Sequence, residues 1–328
     1  MAWDSVPWFV GGGAEHSPEV ARLLAYAATG SAEGIVGPTD LKVVPLDVPG
    51  TSVTVQIGAA LVLARSTGGA QQTYVARLPE ADTVAIAPTG SSGGRSDLIV
   101  AQIEDPFMAG EPWQEPSDPT SGPYVFTRVI SNVPAGTTRL QDVAGYEGRS
   151  AITLARIDIP ASTGTITSAM ITDLRTMARP RTERQIVKGI LDTSTVTLST
   201  SSWQNFPANP ITGLLVPSWA THAVIRVDTT IRFVSGDGYF NLQSFLSTGT
   251  LDSTTLFADS IIDSTTGGGS YRQPLVVPSD GVWTVPASLR GKSAKITTRV
   301  KGRANGGKIA TGTEDYYFAD VTFMERPS

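Results

Sequence analysis

Over most of this chain hydrophobic residues return at every second position in short runs, and turn-forming residues separate those runs. Between residues 35 and 160 the runs are Leu41–Val44, Ser52–Gln56, Ala59–Leu63, Thr73–Ala76, Thr83–Ala87, Asp97–Ile103, Tyr124–Ile130 and Ile152–Ile159. A period of two marks strands with one wet face. No crossover-length helical pattern lies between the runs, so they predict an antiparallel meander or small barrel rather than parallel βαβ units. The second half alternates more clearly. In residues 221–233, Ala223, Ile225, Val227, Ile231 and Phe233 oppose His222, Arg226, Asp228 and Arg232; in residues 294–301, Ala294, Ile296 and Val300 oppose Lys295, Arg299 and Lys301. Further strands are predicted at Gly189–Leu198, Tyr239–Leu246, Thr255–Ile262, Ser270–Val277, Gly281–Val285 and Tyr316–Met324. A series of strands with no helix predicts a two-sheet sandwich, with a jelly roll first among its topologies.

Helical patterning is confined to two places. Ser17 offers an N-cap, Pro18 suits the first helical position, Glu19 favours the positive end of the dipole and Gly30 can end the helix in a left-handed cap. Between them Val20, Leu23, Leu24 and Ala27 form one stripe, predicted to be buried. A second helix is predicted over residues 168–178, capped by Ser168 and carrying Met170, Ile171, Leu174 and Met177 at helical spacing. Arg179-Pro180-Arg181 then stops it. The fold class is therefore mainly β: a β-rich N-terminal domain with a short helix over residues 1–178, a linker over 179–186, and a C-terminal, jelly-roll-like β-sandwich over 187–328. Arg175, Arg179, Arg181 and Arg184 read as solvated charges about that linker. Residues 104–123 hold five prolines among acidic groups and read as a long surface loop. Near the start, Trp3, Trp8 and Gly11-Gly12-Gly13 read as an arm that lays its rings on a neighbouring surface.

Composition narrows the function classes. Of 328 residues 40% are hydrophobic and 17% charged, with 33 Gly and 22 Pro, which is globular composition with abundant turns. The net charge is −5. Residues 1–185 carry 13 Lys+Arg against 19 Asp+Glu, and residues 186–328 carry 12 against 11. Neither half has the basic balance of a nucleic-acid binder. With no cysteine, disulfides and thiolate metal sites are excluded. No export signal and no 18-residue apolar stretch is present, so the expectation is a soluble product of the cytoplasm without a membrane span.

Candidate chemistry is sparse. His16 and His222 are the only histidines, about 200 residues apart, and each reads as a surface or capping group. Gly90-Ser91-Ser92-Gly93-Gly94 has the letters of a nucleophile elbow but is followed by a strand. Gly291-Lys292-Ser293 ends like a phosphate-binding loop, yet Pro286 stands where the first glycine belongs. Gly306-Gly307-Lys308 reads as a hairpin turn. Asp252, Asp259 and Asp263, with Glu314-Asp315, are the carboxylates that a glycan-cleaving pair would draw on; as loop residues they read as solvated turns. No catalytic residue, metal site or cofactor is assigned. Glycan recognition asks for aromatic platforms beside polar groups; Trp203, Trp219, Tyr239, Tyr271 with Arg272, and Trp283 are the candidates, set against core or subunit packing for each ring. The wet-face cations Arg226, Arg232, Lys295, Arg299 and Lys301 suit anionic wall polymers.

Four segments stand out in order along the chain: Glu15–Leu24 leading to Gly34-Ile35-Val36-Gly37-Pro38-Thr39-Asp40-Leu41, then Arg95–Pro106, Ala155–Pro160 and Ile171–Arg175. Together they resemble minor tail or upper-baseplate proteins of siphophages, particularly those infecting actinobacteria. The resemblance spans about residues 14–176. It implies a virion protein of the tail tip that docks on other tail proteins through its N-terminal half, commonly as a homotrimer, and carries a distal head that meets a host cell-surface glycan or wall polymer. The alternatives are a tail-borne glycan depolymerase and a purely structural tail or baseplate subunit.

Overall fold

The computed structural model describes residues 17–328 except 115–117, 119, 121, 192, 201, 236–237, 266–268 and 304–306. The tryptophan arm, His16 and the first residues of the tail-like helix segment lie outside the described residues. The chain divides into two units: one is Met1–Arg179 with Pro327–Ser328, the other Pro180–Arg326. Both are built from antiparallel sheets, and α1 (Pro18–Thr29) is the one α-helix among the described residues.

Among its described residues the first unit holds three antiparallel sheets, where the alternation predicts a meander or small barrel. β1 (Gly34–Ile35) pairs β4 (Gly58–Leu63), which pairs β5 (Thr73–Leu78); β2 (Val43–Pro45), β3 (Ser52–Val55) and β6 (Asp82–Ala85) form a second sheet. The third runs β10 (Ile171–Asp173), β9 (Ala151–Ile159), β7 (Arg95–Ile103), β8 (Val125–Val133). Three of the tail-like segments are thus adjacent strands, β7, β9 and β10. Arg175, just past β10, reaches the other segment by donating to the carbonyls of Pro38 and Asp40 at 3.3 and 2.7 Å. Gly34 belongs to the same junction: its φ is +129°, and a Cβ would lie 2.1 Å from the carbonyl oxygen of Thr176, so glycine is required.

α1 forms as expected, with the Ser17 hydroxyl accepting from the Val20 amide at 3.4 Å and Gly30 at φ 62°. Its apolar stripe is not buried, however: Leu23 and Leu24 are each 45% exposed. The helix is held instead through Arg22, which donates to Gln72 Oε1 at 2.6 Å and lies 5.0 Å from the Tyr74 ring centroid. The second predicted helix is absent. Ser168–Met170 is a single 3₁₀ turn, and Ile171–Asp173 is strand β10 on the edge of β9. β9 offers that stretch a hydrogen-bonding edge, and β-branched Ile171 and Thr172 suit it.

The arginines read as solvated are all engaged. Arg175 is buried; Arg179 donates to the Ala28 carbonyl; Arg181 and Arg184 pair with Glu325 and Asp320. Three acidic residues of the proline-rich segment, Glu104, Asp105 and Glu111, are buried, while Asp118 is exposed. Glu104 accepts from Arg128 Nε at 2.9 Å, Asp105 from the Tyr74 hydroxyl at 3.0 Å, and Glu111 from the Ser150 hydroxyl at 2.6 Å. Burial pushes the Glu111 carboxyl up, against the Ser150 hydrogen bonds that favour its anion. The folded chain therefore holds this proton to higher pH than the unfolded chain does. Stability from this site is greatest at low pH and falls as pH rises through the carboxylate range to the folded pKa. Glu111→Gln cannot ionise, so urea unfolding at a series of pH values should show the wild-type-minus-variant stability declining as pH rises. A difference that is flat or grows with pH contradicts a protonated Glu111.

The second unit begins earlier than the alternation suggests. Residues 182–186, assigned above to a linker over 179–186, belong to β11 (Thr182–Lys188). β12 (Ser194–Thr197), β13 (Gln204–Asn205) and β14 (Ile211–Leu215) follow, then β15 (His222–Ser235), β16 (Gly238–Ser247), β17 (Leu256–Ser264), β18 (Tyr271–Pro278), β19 (Trp283–Thr284), β20 (Ser293–Gly302), β21 (Lys308–Thr311) and β22 (Tyr317–Met324). β15 carries β18 and β19 on one side and β22 and β21 on the other, and these in turn carry β11 and β12. In the facing sheet β20 lies between β16 and the pair β13, β14, and β17 pairs β16 on its far side. Counting interrupted strands once, the orders are 1-8-3-6 and 2-7-4-5, those of a jelly roll. Ala223, Ile225, Val227, Ile231 and Phe233 do face inward, meeting Phe240, Leu242, Ile296 and Val300 of the other sheet in one core. Gly238 is fixed by that packing, since a Cβ there would lie 2.1 Å from the Phe233 ring.

Candidate functional site

Alternation along β16 and β20 decides what the second sheet shows to solvent. With Phe240, Leu242 and Val300 in the core, Tyr239, Asn241 and Gln243 of β16 face outward opposite Arg299 and Lys301 of β20 and Asp259, Ile261 and Asp263 of β17. Asp259, Gln243 and Arg299 form a ladder across the strands. Gln243 Nε2 donates to Asp259 Oδ2 at 3.0 Å, and Gln243 Oε1 accepts from Arg299 Nε and Nη2 at 3.1 and 2.7 Å. The Arg299 guanidinium lies 4.8 Å from the Trp203 ring centroid and 4.6 Å from that of Phe245. At the other end Arg303 pairs with Asp263 at 2.7 Å. Between these rungs Tyr239, Asn241 and Lys301 make no side-chain hydrogen bond to a described residue, so their polar atoms face solvent unclaimed.

Asp259 also stands at the edge of a cleft. The start of β17, the turn before it, and the segment from Asp280 through β19 enclose about 650 Å³ lined by Thr254, Leu256, Asp259, Asp280, Val282 and Trp283, among others. The register Ala223↔Trp283 places the indole at this margin of the sandwich. Its ring packs edge-on against buried Phe257, centroids 6.4 Å apart at 68°, which fixes its orientation. Asp280 forms no side-chain hydrogen bond to a described residue, and Asp259 spends only Oδ2 on Gln243. Carboxylate oxygens beside a held indole are suited to hydroxyl donors over an apolar ring face.

The aromatic candidates therefore separate. Trp203 and Tyr239 border one sheet face, and Trp283 adjoins it through Asp259. Trp219 packs on the core with Arg181 5.2 Å from its ring centroid, and that arginine is held by Glu325. Tyr271 stacks on Phe233 at 5.0 Å and 19°, and its hydroxyl meets Ser264. Arg272 follows Tyr271 on β18, in the sheet opposite Tyr239, and pairs with Asp315 at 3.2 Å. Sequence reading missed Asn241, Gln243 and Asp280. Tyr239-x-Asn241-x-Gln243 was the available signal: polar groups at the outward period of a strand whose alternate positions are Phe240 and Leu242.

Of the remaining carboxylates Glu314 is exposed, and Asp252 and Asp315 have local partners. Asp252 closes its own turn by accepting from the Thr254 hydroxyl and amide, and the hydroxyl, ahead of the amides, holds its pKa down. Asp315 accepts from the Gly312 amide and faces Arg272. His222 is half-buried beside the Thr221 hydroxyl at 2.9 Å; burial first, then Arg326 and Arg290, push its pKa down. Among the described residues no three His, Asp or Glu gather as a metal site would need, and no helix is long and apolar enough to cross a membrane.

No protein family matches the chain, and no curated protein does. Among solved structures it is similar to the VP2 subviral particle of infectious bursal disease virus, at 11% identity over 88% of this chain and 69% of that one, with a TM-score of 0.27. It is also similar to the carbohydrate binding module CBM6cm-2 from Cellvibrio mixtus lichenase 5A, solved in complex with cellotriose, at 13% identity over 42% of this chain and 95% of that one, with a TM-score of 0.20. TM-scores this low carry no inference about the chain.

Proposed function

We propose that this chain is a non-enzymatic structural subunit of a bacteriophage tail tip, whose first unit docks on other tail proteins and whose jelly roll binds a host-surface glycan reversibly in the Trp283 cleft. The observation that carries the binding role is the cleft itself: an indole held edge-on by Phe257, with Asp259 and Asp280 presenting unspent carboxylate oxygens. A sugar ring can lay its C–H face on the indole while its hydroxyls donate to the carboxylates. An open cleft at the margin of a sandwich lets a polymer enter and leave lengthwise.

The tail assignment rests on the resemblance, and its segments share one framework. β7, β9 and β10 are neighbours in one sheet, and Arg175 ties their end to the Gly34–Leu41 stretch. Assembly as a homotrimer is part of the same proposal. The number three comes from the resemblance; Ile186, Val224, Val276 and Tyr316, at 61, 42, 44 and 40% exposure on the outer side of the β11–β22–β15–β18 sheet, offer apolar surface for such contacts. Antibody-gold against the chain should label the distal end of the tail in purified particles, and the purified chain should block their adsorption to host cells. Absence of the chain from washed particles overturns the tail assignment; labelled particles whose adsorption the free chain does not compete overturn the receptor role and leave a scaffold.

A further inference from the structure

The outward side of β20 carries Lys295, Arg299 and Lys301, and none of the three forms an ion pair with a described residue. Of the nearest carboxylates on β17, Asp263 pairs with Arg303, and Asp259 meets the neutral Gln243 carboxamide rather than any of the three cations. Residues two apart on a strand stand about 7 Å from one another, so Arg299 and Lys301 repel at that spacing, with Lys295 roughly twice as far along the same half-buried row beyond Thr297, and no carboxylate among the described residues pairs with any of the three. Arg299 cannot swing away, because Gln243 holds two of its nitrogens and the Trp203 and Phe245 rings flank it. Lys301 has beside it the uncommitted carboxamide of Asn241 and, one row on, the phenol of Tyr239.

We infer that this column is a second binding site, for a linear hydroxyl-rich polyanion whose charges recur at intervals matching the strand. Arg299 and Lys301 take adjacent anionic groups and Lys295 one farther along, while Asn241 beside Lys301 and Tyr239 one row past it take hydroxyls. Charge complementarity chooses the class. The unclaimed Asn241 carboxamide and Tyr239 phenol call for free hydroxyls between the charges, which a DNA backbone does not carry. The site extends the host-surface reading of this unit and uses residues other than the Trp283 indole, so either can fail alone.

The test measures binding of the full chain to four probes: a glycerol-phosphate oligomer, a carboxylate-bearing uronate oligomer, a neutral dextran fragment and a single-stranded oligonucleotide of equal charge count. Either anionic polyol should bind more tightly than dextran, and whichever binds better names the anion. Lys301→Gln should weaken that binding about tenfold and Lys295→Gln with Lys301→Gln about a hundredfold, with a shallower salt dependence. Both variants lie outside the core and should melt like the wild type, and Trp283→Phe should leave these affinities within about twofold. Unchanged affinity in the double variant, or an oligonucleotide bound as tightly as the polyols, overturns the inference. Loss of binding with Trp283→Phe but not with the lysine variants would place the ligand in the cleft instead and overturn it equally.

Discussion

Trp283→Ala should weaken binding of host-surface polysaccharide by about 30-fold or more, the loss expected when an aromatic anchor of roughly 2 kcal/mol is removed from the centre of a site. The indole also touches Phe257 and the core, so the alanine variant tests binding only if its unit stays folded. Two companions remove that ambiguity. Trp283→Phe keeps an apolar ring against Phe257 and should retain part of the affinity. Asp280→Asn changes a carboxylate with no partner among the described residues and should weaken binding about tenfold at unchanged stability. Isothermal titration with host wall polysaccharide reads all three, and wild-type affinity in Asp280→Asn together with Trp283→Phe removes the cleft as the binding site.

Phe240→Ala should destabilise the second unit by about 3–5 kcal/mol, because a fully buried ring is lost from the contact between the two sheets and a cavity remains. The first unit should not follow. Its hydrophobic clusters, around Ile99 and Leu154 and around Leu98 and Leu140, share no residue with the cluster that contains Phe240. Calorimetry should resolve two transitions, with the variant lowering one and leaving the other within about 0.5 kcal/mol. A single transition, or two that fall together, means that the units do not unfold separately.

Much of the sandwich could be read in advance because its central strands have one dry and one wet face. In β15, Ala223, Ile225 and Val227 are buried and Val224 and Arg226 exposed, so a period of two appears in the letters themselves. β11 lacks that contrast. Five of its seven residues are exposed, with Ile186 among them, and its pairing comes from a strand at the far end of the unit. The false helix at 168–178 shows the opposite failure: Met170, Ile171, Leu174 and Met177 fit helical spacing, but a strand edge offered by β9 is not visible locally. Burial of Glu104 and Glu111 was also illegible, since their partners Arg128 and Ser150 come from other segments. At the site the aromatic residues were identifiable and their settings were not. Whether a ring meets solvent depends on partners such as Phe233 beneath Tyr271, or Glu325 holding the arginine over Trp219.

The pairing of Thr182–Lys188 with Tyr317–Met324 joins the first and last strands of the jelly roll. The 1-8-3-6 sheet therefore cannot be completed until nearly the whole unit has left the ribosome, and chain-closure entropy must be met before these contacts form. Nascent chains will hold β15 with an open edge during that interval, which makes folding slow and concentration-sensitive. High-level expression should accordingly yield more soluble protein at low temperature and slow synthesis.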